Sequence, residues 1–307
     1  MNLLSRRNFL LLAPAVFRNQ ATSLPSRWMQ DHHYEAHAVV LLLGVPLLRR
    51  RGVGGAWLRM QGNQNLASQL LSFQFAAGSI PSKAAGLNRL GYLEEEVRLD
   101  ASGRRRANYF GVMTASQEET FEQARQAVRQ TGASEKTFVA MRGEIDQSVV
   151  RNCTTVLTFD HCPGWPHVDQ LAGQCRQSLA NLQLSETGAH SPLTFLHALY
   201  EAMRSGGEQK QRFCHSGKPY VLHTRARKDP KSGSDFLERG LVEREDDVWN
   251  LEGQIHKGHP AGRGAPSSTF QIWYAHQAPA VKPLRFTLKP KSFLKLSFEL
   301  RAENQTR

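Results

Sequence analysis

Apolar and polar residues alternate along many short stretches of this chain, which is the pattern of a β-strand with one buried and one wet face. In one such stretch Leu71, Phe73 and Phe75 fall on one side, while Ser72 and Gln74 fall on the other. The alternation predicts strands over residues 34–43, 55–61, 69–76, 107–114, 138–142, 149–159, 213–217, 220–227, 247–256, 269–276, 284–289 and 292–300. Regular spacing of the later strands predicts an antiparallel meander.

Other stretches repeat their apolar residues with the period of a helix. A Ser-Gln-Glu-Glu capping box predicts a first helix over about 117–130. A second helix is predicted from Val168 onward, and a third begins with Pro192 and stops at Gly206. The middle of the chain, about 160–207, is therefore predicted to be helical.

Two stretches rich in glycine, proline, serine and charge, 228–240 and 258–268, are predicted to be mobile loops between strands. Strand-rich ends around a helical middle predict an α+β fold, with an antiparallel sheet and two or three helices packed on it. No stretch reaches the ~20 apolar residues that a membrane-spanning helix needs.

The first residues carry the pair Arg6-Arg7, followed by a short apolar run over 10–17. This pattern resembles a bacterial twin-arginine export signal, and its run is too short for a membrane anchor. The alternative is an amphipathic N-terminal helix with a chance arginine pair. We predict a signal peptide over 1–23, one domain over 24–307, and a periplasmic or secreted protein without a transmembrane segment.

Both ends of the predicted domain resemble a known family. The matching segments are 34–57, 217–220, 270–274, 282–286 and the final strand 293–298. They are similar to periplasmic domains of unknown function related to the LolA-like lipoprotein-carrier half-barrel. The resemblance implies a strongly curved antiparallel sheet with helices in or against its concave side, which holds acyl chains in such carriers. The helical middle and the cysteines depart from that pattern.

Four cysteines follow the predicted signal, namely Cys153, Cys162, Cys175 and Cys214. In an oxidising compartment they can form two disulfides, with three pairings open. A buried unpaired thiol is the alternative for Cys175, which falls on the apolar face of a predicted helix. Their spacing contains no Cys-x-x-Cys pair of the kind that binds zinc.

The formal net charge of +12 predicts a negatively charged partner or surroundings. For an exported protein we expect anionic lipid or acidic glycan rather than nucleic acid. The polar side of the later strands carries Arg225, Arg227, Arg285, Lys289 and Lys295. This predicted basic face either binds an anionic envelope component or only keeps the outer surface solvated.

Five aromatic residues are candidates for the lining of an apolar ligand cavity: Trp57, Phe73, Phe75, Trp249 and Trp273. Aromatic residues at inward strand positions also form ordinary core, so both interpretations stay open.

Residues 160–169 hold the densest group of side chains that can bind metal, with His161, Cys162 and His167 as candidates. A strand-to-helix loop explains the same residues, and we expect no metal and no other cofactor. The sequence also lacks a Gly-x-Ser-x-Gly elbow, a His-Glu-x-x-His helix and a phosphate-binding glycine loop.

We therefore expect a non-enzymatic, exported binding protein for a lipid, lipoprotein or other apolar ligand. The alternatives are an envelope interaction protein that uses the basic face, and a metal-dependent enzyme centred on 160–169. An open concave side of the sheet favours carriage, whereas a concave side filled by the middle helices favours an interaction role. Ligand identity and oligomeric state stay open.

Overall fold

A computed structural model describes residues 27–42, 45–64, 68–84, 86, 88–115, 126, 137–159, 164–191, 193–258, 268–291 and 294–302. The predicted signal peptide lies outside these residues, as do His161, Cys162 and all of the predicted helix 117–130 except Gln126. The export signal and the division into signal and domain thus stay predictions. No helix of the described part is both long and apolar enough to cross a membrane.

The described strands form one 14-stranded antiparallel sheet. They are β1 Arg27–Leu42, β2 Val45–Gln64, β3 Ser68–Ser79, β4 Leu90–Asp100, β5 Arg105–Thr114, β6 Thr137–Asp146, β7 Val149–Thr158, β8 Ser185–His190, β9 Glu208–His215, β10 Lys218–Lys228, β11 Val248–Lys257, β12 Ser268–Gln277, β13 Ala280–Lys291 and β14 Leu294–Leu300. Their order across the sheet is β8-β7-β6-β5-β4-β3-β2-β1-β14-β13-β12-β11-β10-β9. The predicted antiparallel sheet is therefore confirmed.

Two meanders, β1 to β8 and β9 to β14, are joined by the pairing of the first strand with the last. Tyr34 lies opposite Leu300, and Ala36 lies opposite Phe298. This long-range pairing makes one continuous sheet out of two sets of hairpins.

Three helices of the described part pack on this sheet: α1 Val168–Leu179, α2 Phe195–Ser205 and α3 Pro230–Glu238. The helix α2 contacts β4, β9, β10 and β13, which are far apart in the sheet order. A flat sheet cannot bring these strands onto one short helix, so the sheet curves around α2. The predicted curved antiparallel sheet with packed helices is thus observed.

The other two helices lie on the outer, convex face. Leu171 and Cys175 of α1 pack in one cluster with Tyr92 and Phe110. Leu93, which follows Tyr92, and Tyr109, which precedes Phe110, belong to the cluster that contains α2. Since successive residues of a strand point to opposite faces, α1 and α2 lie on opposite sides of the sheet. Arg285 forms an ion pair with Asp235 of α3, and its chain neighbour Phe286 belongs to the cluster around α2. By the same alternation, α3 lies on the outer face.

Strand pairing does not close the sheet, because β8 and β9 are its two edges. The segment before α2 bridges them at one end. The Ser191 backbone N–H donates to the Ser148 carbonyl oxygen at 3.1 Å, and the Cys214 N–H donates to the Leu193 carbonyl oxygen at 2.8 Å. Thr194, which follows this bridge, has an extended backbone, so α2 begins at Phe195 instead of Pro192.

Two predictions about secondary structure were wrong. The middle of the chain is not wholly helical, since β8 lies between α1 and α2. Most of the predicted loop 228–240 is the helix α3. Asp229 caps this helix by accepting a hydrogen bond from the Ser232 backbone N–H at 3.2 Å, and Pro230 suits its first turn. Gly233 is required there, because a Cβ atom would lie 2.4 Å from the Glu245 carbonyl oxygen.

The expected disulfides are absent among the described cysteines, since Cys153, Cys175 and Cys214 are free thiols. Cys175 packs under α1 on the outer face, whereas Cys214 belongs to the cluster around α2. Burial raises the pKa of both of these thiols to about 11, which keeps them protonated and unreactive. Cys162, the fourth candidate, lies outside the described residues.

We predict that Asp229→Ala lowers the free energy of unfolding by about 1 to 2 kcal/mol, because it removes a helix cap. It also removes the hydrogen bond that the Trp273 indole N–H donates to this carboxylate at 3.0 Å. Urea unfolding followed by circular dichroism measures the change. Asp246→Ala is the control, since Asp246 is exposed. Equal effects of the two substitutions would contradict the capping role.

Candidate functional site

A cavity of about 250 Å³ lies on the concave side, between α2 and strands β2, β3, β12 and β13. Strand alternation points one set of apolar side chains into it from the sheet, and α2 supplies the opposite wall. Its lining includes Met60, Phe73, Phe75, Leu199, Phe286 and Leu288. The helix therefore occupies the concave side but does not fill it.

The walls of this cavity are apolar side chains that are not fully packed. Leu58, Phe75, Leu199, Phe270 and Phe286 are only half-buried, although they lie on the concave side. Leaving apolar surface in contact with water costs about 25 cal/mol per Å². An apolar ligand that covered these side chains would recover this free energy, so the cavity suits an apolar guest.

Glu95 binds α2 to the concave face of the sheet through hydrogen bonds. Its side chain points to the concave face of β4 and is 1 % exposed. One carboxylate oxygen accepts a hydrogen bond from the Leu196 backbone N–H at 3.0 Å, and the other accepts from the His197 N–H at 3.0 Å. These N–H groups belong to the first turn of the helix, which has no intrahelical acceptor for them. The positive end of the helix dipole also favours a negative group there.

Burial raises the pKa of the Glu95 carboxyl to about 7, while the helix amide groups that donate to it act in the opposite direction. Both protonation states are therefore populated near neutral pH. The groups close to this carboxyl that can also titrate are His197 on the same helix, Glu201 one turn further, and Cys214 on β9. The contact that positions α2 is thus sensitive to pH.

The five predicted aromatic residues do not meet at one place. Phe73 and Phe75 line the cavity. Trp249 also lies on the concave side, but its ring is beside Gly206 at the end of α2. Trp57 packs in the outer cluster with α1, and Trp273 donates to Asp229 next to α3.

The reason is strand alternation, because Trp57 precedes and Trp273 follows a residue that points to the opposite face of the sheet. Leu58 and Ile272, their direct neighbours in the chain, line the cavity instead. Sequence reasoning missed Leu58, Met60 and Leu199. The alternation along β2 was the signal that could have identified Leu58 and Met60.

The predicted basic face is divided by the structure into two parts. Arg225, Lys289 and Lys295 line a groove of about 880 Å³ on the outer face of β9 to β14. Arg227 and Arg285 are engaged in ion pairs, with Glu252 at 2.7 Å and with Asp235 of α3 at 2.7 Å. Three of the five predicted cations therefore remain together at one site.

The metal candidates are only partly described. His167 is exposed just before α1. No group of three or more His, Cys, Asp or Glu side chains that could hold a metal ion occurs within the described ranges. His161 and Cys162 lie outside those ranges, so the alternative of a metal site at 160–169 is not tested.

Fold and site together define a curved, barrel-like antiparallel sheet with an internal apolar cavity. No family model matches the chain, and no curated protein matches it significantly. A solved structure from Brucella abortus, described as a β-barrel-like protein of domain of unknown function DUF1849, is similar with a TM-score of 0.44 and 9% sequence identity. The match covers 88% of this chain and 94% of that chain.

We predict that the stability of the wild-type protein falls relative to Glu95→Gln as pH rises from 4.5 to about 7. The native carboxyl holds its proton more tightly than the unfolded one, so folding is favoured by protonation in this window. The difference should be about 3 kcal/mol and level off at higher pH. Urea unfolding of both proteins at several pH values measures it. The other ionisable groups are the same in both proteins, so a flat difference would contradict a buried Glu95 carboxyl.

Proposed function

We propose that this protein is a non-enzymatic binding protein for an apolar ligand, such as the acyl chain of a lipid or lipoprotein. The ligand lies in the cavity between α2 and the concave face of the sheet. The observation that carries the proposal is the set of half-buried apolar side chains around this cavity, including Phe75, Leu199 and Phe286.

Two features of the sequence support the same function. The ends of the chain resemble the LolA-like half-barrel, in which the concavity holds acyl chains. The N-terminal Arg6-Arg7 pattern resembles an export signal, which would bring the protein to the periplasm, where lipids and lipoproteins are carried between membranes.

The size of the cavity limits the ligand. Pockets for small molecules measure about 300 to 1,000 Å³, and this cavity has about 250 Å³. It therefore takes a single slender chain, and a larger ligand must displace α2. Displacement breaks the hydrogen bonds from Leu196 and His197 to Glu95, so this carboxylate opposes the entry of bulky ligands.

Binding of cis-parinaric acid, a fluorescent fatty acid, tests the proposal. We predict saturable binding by the wild-type protein, measured by fluorescence titration and by native mass spectrometry. Leu199→Trp places a larger side chain in the cavity and should weaken binding by about tenfold, a loss of about 1.4 kcal/mol.

Leu237→Trp is the matched control, because Leu237 is an exposed leucine of α3 on the outer face and is 39% exposed. This variant should bind like the wild-type protein. Circular dichroism of both variants confirms that they fold. Absence of binding by the wild-type protein, or equal binding by the two variants, would overturn the proposal.

A further inference from the structure

The outer face of β9 to β14 carries a groove that borders the apolar cavity only at Phe270, Thr287 and Leu288. Its volume is about 880 Å³, within the range of small-molecule clefts. Gln254, Thr269 and Gln271 line it, whereas their chain neighbours Ile255 and Ile272 line only the apolar cavity on the other side. One part of the sheet therefore presents an apolar wall inside and a polar wall outside.

Charge is distributed unevenly along this groove. Arg225 lies opposite Glu208 on one neighbouring strand and opposite Glu252 on the other, so this part is locally neutral. Lys289 of β13 and Lys295 of β14 lie at the other end of the groove. Within the described part of the chain no carboxylate forms an ion pair with either lysine. The β13–β14 end of the groove is thus cationic.

Uncharged hydrogen-bonding groups line much of the rest of the groove, beside Lys210 and the apolar side chains of Phe270 and Leu288. Gln254 and Gln271 each offer both an amide donor and a carbonyl acceptor, and Thr269 and Thr287 offer hydroxyl groups. His223 also faces the groove. Burial lowers its pKa, and His256 and Lys210 nearby act in the same direction, so its ring is neutral at physiological pH.

We propose that this groove is a second binding site, specific for an acidic oligosaccharide whose carboxylates meet Lys289 and Lys295 and whose hydroxyls meet the glutamine and threonine side chains. Sugar hydroxyls both donate and accept hydrogen bonds, which matches amide and hydroxyl groups. The lysines supply the charge complementarity. The lysine and glutamine side chains of this site lie on the face of the sheet opposite α2.

Two other anionic partners fit this groove less well. A membrane surface needs large apolar side chains that insert below the head groups. None of the exposed large apolar residues in the described part, such as Met113 and Val156, lines the groove. A nucleic acid backbone needs a dense row of cations, and Glu208 and Glu252 interrupt the row here.

Isothermal titration calorimetry with trigalacturonate, a trisaccharide of uronic acids, tests the site in the full-length protein. The wild-type protein should bind it, and maltotriose, which has no carboxylate, should bind at least about tenfold more weakly. The double variant Lys289→Gln/Lys295→Gln should weaken trigalacturonate binding by about tenfold.

The matched control is Lys218→Gln/Lys257→Gln, which removes the same charge from exposed lysines that do not line the groove. It should change the affinity by less than about twofold. Equal losses in the two double variants would indicate general attraction by net charge and overturn the proposal. Absence of trigalacturonate binding, or binding only to phosphatidylglycerol vesicles, would also overturn it. Binding of cis-parinaric acid should not change in either double variant.

Discussion

The hydrogen bonds between the buried Glu95 carboxylate and the first turn of α2 are the constraint on which the rest of the structure depends. A carboxylate inside an apolar interior is costly unless its oxygens are satisfied, and the amide groups of Leu196 and His197 satisfy them. The helix in turn gains an acceptor for donors that have none within it. This contact holds α2 against the concave face, and the sheet curves around the helix.

The position of α2 decides what the concave side can do. Without the helix, the curved sheet would expose a wide apolar surface, which is unfavourable in water. With the helix in place, only a cavity of about 250 Å³ is left. The concave side is thus neither fully open nor filled, and the helix that narrows it is bound to one titratable side chain. The proton on Glu95 and an apolar ligand would then affect the same helix.

The same strands carry two chemically different surfaces. In β12 the even positions Phe270 and Ile272 face the cavity, while Thr269 and Gln271 face the outer groove. A shift of the register by one residue would exchange the two faces, so both sites require the same pairing with β11 and β13. The two ligands that we propose would therefore contact opposite faces of the same strand.

From the sequence alone, the period-two alternation determined most strands, and the period of the apolar residues determined α1 and α2, because these signals are local. The tertiary structure alone decided three things. It showed that the run Glu94 to Glu96, which hides the alternation of β4, places its middle carboxylate inside the sheet. It showed that β1 pairs with β14, and it divided the candidate aromatic and basic residues between the two faces. Alternation tells which residues share a face, but which face becomes concave depends on contacts between distant strands, and these leave no local pattern in the chain.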